Sequence, residues 1–160
     1  MNNLKNQKAI ITGASKGIGK SIAFKLAEKA FNADEVPVGA IIVCYDRIIG
    51  KGYNQCESLN DSTAHAEIIA ITAASNTLDN WRLDECVMFV TKEPCVMCAG
   101  AIINARISRL IFGAYDDKNG GIENFKFQSK REHAFKTEIY GGIMENNCKA
   151  LIENFFKKLR

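Results

Sequence analysis

Two short segments of the chain combine residue types that bind metal ions. The first holds His65 and Glu67, and the second, which begins at Pro94, holds Cys95 and Cys98. Cysteines at positions i and i+3 share one face of a helix's first turn, where free backbone amides and the positive end of the helix dipole stabilise thiolates. Two thiolates and one imidazole are a ligand set typical of zinc. The spacing therefore predicts a zinc site with His65, Cys95 and Cys98 as ligands.

The number of ligands favours a catalytic site over a structural one. Three protein ligands leave the fourth tetrahedral position for water, whereas a structural site is normally closed by a fourth residue. His133 is the only other histidine, and no fourth ligand is evident. Glu67 lies two positions after His65, so on a regular helix it points away from the ligand direction. Near a helix start it could still reach the water, which predicts a proton shuttle to the substrate's ring nitrogen and leaving amine.

Both segments lie where helices are expected to begin. Residues 61–63 offer N-caps for an alanine-rich helix that starts near Ala64, and Pro94 is expected as the first residue of a helix that ends near Ala105. Strands are predicted at residues 8–12, 39–45, 48–53, 87–91 and 110–112, with helices also at residues 22–30 and from residue 145 to the end. This alternation predicts an α/β sandwich.

Composition limits the class of protein. The 160 residues are 47% hydrophobic and include only two prolines, so one domain with an apolar core is expected and intrinsic disorder is excluded. No stretch approaches the roughly 20 apolar residues of a membrane span, and the N-terminus does not resemble a signal peptide. A cytoplasmic protein is expected. Six cysteines without an export signal favour metal binding over disulfides, and Cys44, in an apolar strand, is expected in the core.

The net charge of +3 is unevenly distributed. Residues 1–30 hold six lysines against one glutamate, and residues 126–160 hold eight basic groups against four acidic ones. The segment between them is therefore acidic. Basic ends can bind a polyanion, but solvated surface lysines would give the same balance, and composition leaves both interpretations open.

The arrangement His-x-Glu, followed about thirty residues later by Pro-Cys-x-x-Cys, is the signature of zinc deaminases. Longer stretches extend the likeness: residues 35–40, 61–67, 80–83, 90–101 and 112–118. On these stretches, residues 31–160 resemble the bacterial tRNA-specific adenosine deaminases of the cytidine/deoxycytidylate deaminase family. That family converts the wobble adenosine of a tRNA anticodon to inosine. Cytidine and guanine deaminases share only the zinc core with it.

The resemblance implies a fold, a reaction and an assembly. The fold would be the cytidine-deaminase-like three-layer α/β/α sandwich, whose central mixed sheet carries both metal-binding helices on one face. The reaction would be hydrolytic deamination of the arginine tRNA with the ACG anticodon. Each subunit of a homodimer would bind one Zn²⁺ through His65, Cys95 and Cys98, with Glu67 as the proton donor.

Further roles are implied by single positions. Asn54 matches an asparagine that contacts the flipped nucleotide, and Asp116 matches an aspartate near the ribose. From the residues alone, the favoured interpretations are a turn residue at a strand end for Asn54 and a loop cap for Asp116. Residues 155–160 resemble the helix that approaches the tRNA anticodon stem-loop, with only its lysines as phosphate contacts. The chain departs from the family pattern at Lys92, which replaces a hydrophobic residue, and at residues 132–135.

The N-terminus belongs to a different pattern. Residues 12–19 resemble the glycine-rich cofactor loop of short-chain dehydrogenases, and that match continues to Ala27. Further βα units and the Tyr-x-x-x-Lys pair of that family are absent from the sequence, so we expect no nicotinamide cofactor. The prediction is a foreign segment at residues 1–20 without a catalytic role and a deaminase domain at residues 21–160. Deleting residues 1–18 should then leave deamination intact.

Two other functions compete with tRNA editing. One is deamination of a free base or nucleoside such as guanine or cytosine. The other is a non-catalytic, zinc-stabilised RNA-binding module, which Glu67 and the open coordination position disfavour.

Overall fold

The structure is a computed structural model that describes residues 18–121 and 136–160. The predicted strand at residues 8–12, most of the glycine-rich loop and the segment around His133 lie outside the described residues. The helices are α1 (Ile18–Asn32), α2 (Cys56–Leu59), α3 (Ala66–Leu78), α4 (Val96–Asn104) and α5 (Glu145–Lys158). The strands are β1 (Gly39–Cys44), β2 (Arg47–Tyr53), β3 (Cys86–Lys92), β4 (Arg109–Ala114) and β5 (Glu138–Tyr140).

The five strands form one mixed sheet in the order β2-β1-β3-β4-β5. β1 pairs antiparallel with both β2 and β3, while β3, β4 and β5 run parallel. The β1–β2 turn lies at Tyr45 and Asp46, which both have positive φ, as tight hairpin turns require. The predicted strands at residues 39–45 and 48–53 leave Asp46 and Arg47 between them for the turn, which is one residue too late, because Arg47 already pairs with Cys44.

Side chains alternate between the two faces of the sheet, and each face is covered by helices. Ala40 and Ile42 of β1 belong to the core that includes the buried alanines of α3 and Ile102 of α4. Ile41 and Val43 belong to the core shared with α1. The period of two separates these sets because successive Cβ atoms point to opposite faces. The predicted three-layer α/β/α sandwich, with both candidate metal-binding helices on one face, is confirmed.

Helix α3 lies unusually close to β2 because the two elements meet through small residues. A Cβ atom added to Gly50 would lie 2.3 Å from the Ala70 carbonyl oxygen, and one added to Gly52 would lie 2.1 Å from that of Ala66. Ala66 and Ala70 are themselves fully buried. The contact of backbone against backbone fixes the start of α3, and with it the position of His65.

Both helix starts differ by a residue or more from the prediction. Cys95 is the N-cap of α4, so Pro94 precedes the helix instead of being its first residue. His65 is likewise the N-cap of α3, with extended backbone dihedrals. Among the described helices, none is long and apolar enough to cross a membrane.

Candidate metal centre and active site

Three predicted ligands meet where α3 and α4 begin. The Nδ1 atom of His65 lies 3.6 Å from Cys95 Sγ and 3.4 Å from Cys98 Sγ. The three ligand atoms all lie within 4.8 Å of one another. The cluster is therefore assembled from two helix caps and one residue of the first turn of α4. Sequence spacing could not distinguish which imidazole nitrogen faces the thiols.

These distances fit a tetrahedral zinc ion. With Zn–S bonds of about 2.3 Å and Zn–N bonds of about 2.05 Å, tetrahedral angles separate sulfur and nitrogen by about 3.6 Å. The observed separations of 3.6 and 3.4 Å agree with that value. The cluster can hold a metal ion, and its donor set suits zinc.

The electrostatics of the cluster favour a thiolate at Cys95. Hydrogen bonds from the Cys98 thiol and from His65 lower the pKa of Cys95 to about 3. The pKa of Cys98 is raised instead, first because it donates to Cys95 and then because it is buried. Both cysteines also lie at the positive end of α4, where anions are stabilised.

Glu67 lies beside this cluster in the first turn of α3. Only 3% of its surface is exposed, and burial raises the pKa of its carboxyl group. It contacts Cys98 through a side-chain hydrogen bond and lines the same cavity as His65 and Cys95. A buried carboxyl group with a raised pKa is suited to accepting and returning a proton.

The cluster opens into a cavity of about 670 Å³. Asn54 lies in its wall, where its Nδ2 atom donates to Glu35 Oε2 at 3.3 Å. Because a carboxylate can only accept hydrogen bonds, this contact fixes which end of the Asn54 amide faces Glu35. The Asn54 Oδ1 atom accepts from the Cys56 thiol at 3.7 Å. Asn54 is thus held in one orientation.

Glu35 itself is almost completely buried, with 1% of its surface exposed. Burial acts to raise its pKa, but the backbone amides of Ser58 and Glu57 donate to its carboxylate and the net pKa is lowered. The Ser58 bond is 2.8 Å long and the Glu57 bond 3.3 Å. No role for Glu35 was predicted from the sequence, although a charged residue four positions before a fully buried strand was a usable signal.

Asp116 is held by a separate group of contacts at the end of β3. Its carboxylate pairs with Lys92 and accepts the backbone amides of Lys118 and Asn119, each at 3.1 Å. Burial acts to raise the pKa of Asp116, while Lys92 and these amides bring it below the ordinary value. Asp116 therefore acts as a cap for its own loop, and the structure does not place its carboxylate among the residues that line the main cavity.

The C-terminal helix closes one side of the cavity. Phe155, Phe156 and Leu159 line it, and Phe155 packs edge-on against Phe31 of α1, with ring centroids 5.9 Å apart. Phe155 is buried, whereas Phe156 and Leu159 are exposed at the opening. The apolar residues at the end of this helix thus pack against α1, as predicted, and also form part of the cavity wall.

Comparison with known proteins identifies the family. The family model of MafB19-like deaminases matches residues 17–160. The tRNA-specific adenosine deaminase of Buchnera aphidicola is 46% identical over 142 residues, which are 87% of this chain and 92% of that protein. The enzyme of the same name from Bacillus subtilis is 39% identical over 86% of each chain. The chain belongs to the tRNA-specific adenosine deaminase family. The predicted family and enzyme class are confirmed.

Solved structures place this deaminase among tRNA-editing enzymes. A structure from a study of A-to-I editing by tRNA:A34 deaminases has a TM-score of 0.79 and 39% identity, and it covers 84% of this chain and 99% of that one. A guanine deaminase from Nitrosomonas europaea has a TM-score of 0.72 but only 22% identity, over 96% of this chain and 88% of that one. The second likeness shows a shared fold alone.

Proposed function

We propose that this deaminase uses zinc to convert adenosine to inosine at the wobble position of tRNA. The observation that carries the proposal is the His65, Cys95 and Cys98 cluster, with Glu67 beside it, inside a cavity of about 670 Å³. The names of the relatives supply the substrate. We further propose that the arginine tRNA with the ACG anticodon is among the substrates.

His65, Cys95 and Cys98 would hold one zinc ion per chain. When bound, zinc would lower the pKa of a water molecule and thereby supply the nucleophile for attack at C6 of adenine. Glu67 takes one proton from the attacking water and delivers it to N1 of the ring; it then takes the remaining hydroxyl proton at C6 and delivers it to the leaving amine. Adenosine and water thus yield inosine and ammonia, with no other reactant.

The remaining residues bind and orient the nucleotide. Asn54, fixed by Glu35, contacts the flipped nucleoside in the cavity wall. Asp116 shapes the loop near the ribose and the neighbouring backbone. Because enzymes that act on a base within a nucleic acid must take it out of the stack, a cavity closed by Phe156 and Leu159 suits an extruded nucleotide.

The macromolecular partners follow from the surfaces. The lysines of α5, Lys157 and Lys158, adjoin the cavity and suit contacts to the anticodon stem-loop phosphates. A homodimer is supported by the exposed Val96 and Met97 of α4 and by a groove of about 410 Å³ that Ile68 and Ile69 line. Within the chain, we propose residues 21–160 as the deaminase domain.

One assay separates this function from its competitors. Purified protein is incubated with tRNA bearing the ACG anticodon and, separately, with guanine, cytosine and adenosine, and inosine and ammonia are measured. We expect inosine in the tRNA. Ammonia from free bases only would contradict the proposal in favour of a base deaminase, and no product from any substrate would favour a non-catalytic module.

Glu67→Gln tests the proton shuttle. The amide has nearly the same shape but cannot accept the proton, so kcat should fall by at least about 10²–10⁴-fold while zinc remains bound. Zinc per chain is measured by atomic absorption beside the tRNA assay. The matched variant Cys98→Ala should lose both zinc and activity. Glu67→Gln with nearly full activity would contradict the role.

A further inference from the structure

Lys92 lies in the wall of the active-site cavity, at the last position of β3 and three residues before Cys95. The chain between them limits the Cα–Cα separation to about 11 Å. A quarter of the Lys92 side chain, 24%, is exposed. Among the described residues that line the cavity, Lys92 is the only lysine or arginine.

Asp116 holds the Lys92 ammonium group in place. The two side chains form an ion pair, and only 12% of the Asp116 side chain is exposed. Asp116 is itself fixed, because its backbone amide donates to Glu93 Oε2 at 3.0 Å and its Oδ1 atom accepts the amides of Lys118 and Asn119. A lysine ammonium carries three N–H donors, and Asp116 engages one of them. The ion pair with Asp116 therefore fixes the position of the ammonium group and leaves it N–H donors for a second acceptor.

The cavity needs a cation if its substrate is a polynucleotide. Five acidic residues line it: Asp34, Glu35, Glu57, Glu67 and Glu93. A nucleoside within RNA brings a phosphate on each side, and carboxylates repel these groups. Lys92 is the charge in the wall that can receive one of them.

We propose that Lys92 binds a phosphate adjacent to the flipped adenosine and that Asp116 is its positioning residue. The inference rests on the proposed function, since only an RNA substrate supplies that phosphate. It extends that function by giving these residues separate roles: Asn54 and Glu67 contact the nucleoside, whereas Lys92 contacts the RNA backbone. Lys92 would thereby favour a nucleotide within a strand over a free nucleoside.

The first test is the salt dependence of the reaction on an anticodon stem-loop RNA. Neutralising one phosphate of a single strand contributes a slope of about 0.7 to the plot of log affinity against log salt concentration. Lys92→Leu should lower this slope for kcat/KM by about that amount and raise KM about 10-fold at low salt, with kcat changed much less. Lys92→Arg keeps the charge and should retain both values.

Two further variants test whether a change in KM comes from the lost attraction of Lys92, from repulsion by the Asp116 carboxylate or from the overall charge of the protein. Lys92→Leu leaves the Asp116 carboxylate uncompensated, so adding Asp116→Asn should recover part of the lost KM. Lys149→Leu removes an exposed lysine of α5 that does not line the cavity and should leave the slope nearly unchanged. Zinc content and the melting temperature of each variant verify that it is folded.

The second test locates the contact. Stem-loop RNAs with a single neutral methylphosphonate on the 5′ or the 3′ side of the adenosine are assayed with the wild-type chain and with Lys92→Leu. At the contacted position, the neutral linkage should raise the wild-type KM about 10-fold and leave that of Lys92→Leu nearly unchanged. Additive effects at both positions would overturn the proposal, as would an unchanged salt slope in Lys92→Leu. If the wild-type chain edits no stem-loop RNA, the proposed function fails instead.

Discussion

Two buried carboxyl groups in one cavity have pKa values shifted in opposite directions. Burial raises the pKa of Glu67, whose neighbours include the Cys95 and Cys98 sulfur atoms. Burial also acts on Glu35, but two backbone amides and Asn54 donate to its carboxylate and bring its pKa below the ordinary value. The environment thus suits the two groups to different roles: Glu67 to the proposed proton exchange, and Glu35, which stays charged, to orienting Asn54.

Glu35→Gln should lower the free energy of unfolding at pH 7 by about 1–3 kcal/mol, because buried amide donors lose a charged acceptor. The lowered pKa means that this stabilisation is present above the ordinary value of 4.5 and is lost as pH falls below it. The difference in the free energy of unfolding between the wild type and Glu35→Gln should therefore decrease from pH 7 to pH 4. Urea unfolding at both pH values measures it, and a pH-independent gap would contradict the assignment.

The same variant has a catalytic consequence. Once Glu35 no longer holds its amide, Asn54 can rotate, so KM for tRNA should rise more than kcat falls. Glu28→Gln is a suitable control, because the Glu28 side chain is exposed on α1 and does not line the cavity. It should leave both kinetic values and the stability nearly unchanged.

The three residues of the candidate metal cluster could be predicted from the sequence. The hydrogen bonds and ion pairs that orient the neighbouring side chains could not. His65, Cys95 and Cys98 are found from ligand type and local spacing, because one ligand lies at the start of α3 and two lie at the start of α4, and the sequence marks both helix starts. Glu35 and Asn54 are 19 positions apart and meet only because the sheet brings them together. Lys92 was recognisable as an exception to a pattern, but its partner, 24 positions away, was not.

At the scale of elements, the long helices and the buried strands follow from hydrophobic periodicity. Helix α2 and strand β5 do not follow from this periodicity, because they have only four and three residues and their side chains are mostly exposed. Such segments form because the surrounding chain supplies hydrogen-bond partners, as when β5 pairs with β4. The exact helix starts depend on cap geometry, which apolar spacing does not encode.

The close contact of α3 with β2 makes Gly52 essential for positioning the site. Gly52→Ala would bring a Cβ atom to 2.1 Å from the Ala66 carbonyl oxygen, so α3 must move and carry His65 and Glu67 with it. We expect a loss of at least about 2 kcal/mol in stability, typical of overpacking, together with weaker zinc binding. Thermal unfolding and zinc titration measure the two effects.

Gly100→Ala is the matched control for this substitution. Gly100 lies within α4, and an added Cβ atom meets nothing within 4 Å. Because alanine favours helix over glycine by about 1 kcal/mol, the variant should be as stable as wild type or more stable. If both substitutions destabilise equally, the tight contact at Gly52 is not the cause.

At the scale of the whole molecule, net charge proves to be poor evidence for RNA binding. The chain carries +3, but residues 31–160 alone carry −2, because the N-terminal segment supplies the excess. RNA recognition by the deaminase domain then depends on individual cations near the cavity. Lys158 is one of them, and it pairs with Asp34 at 2.6 Å in an exposed position, where such a pair contributes little to stability. It remains available for a phosphate.

The division of the chain leads to a test by truncation. Helix α1 begins at Ile18, and its fully or nearly buried Ala23, Ala27 and Ala30 pack on the sheet and on the start of β1. A chain lacking residues 1–17 keeps this helix, so its kcat/KM for tRNA and its melting temperature should stay within about twofold and a few degrees of the full chain. A chain lacking residues 1–32 loses α1, which leaves only α5 on this face of the sheet and exposes Ile41, Phe89 and Ile111. It should aggregate or fail to fold, because most of the apolar surface on that face would be left uncovered. Loss of activity in the first truncation, with the fold and zinc content preserved, would show that the N-terminal segment takes part in deamination.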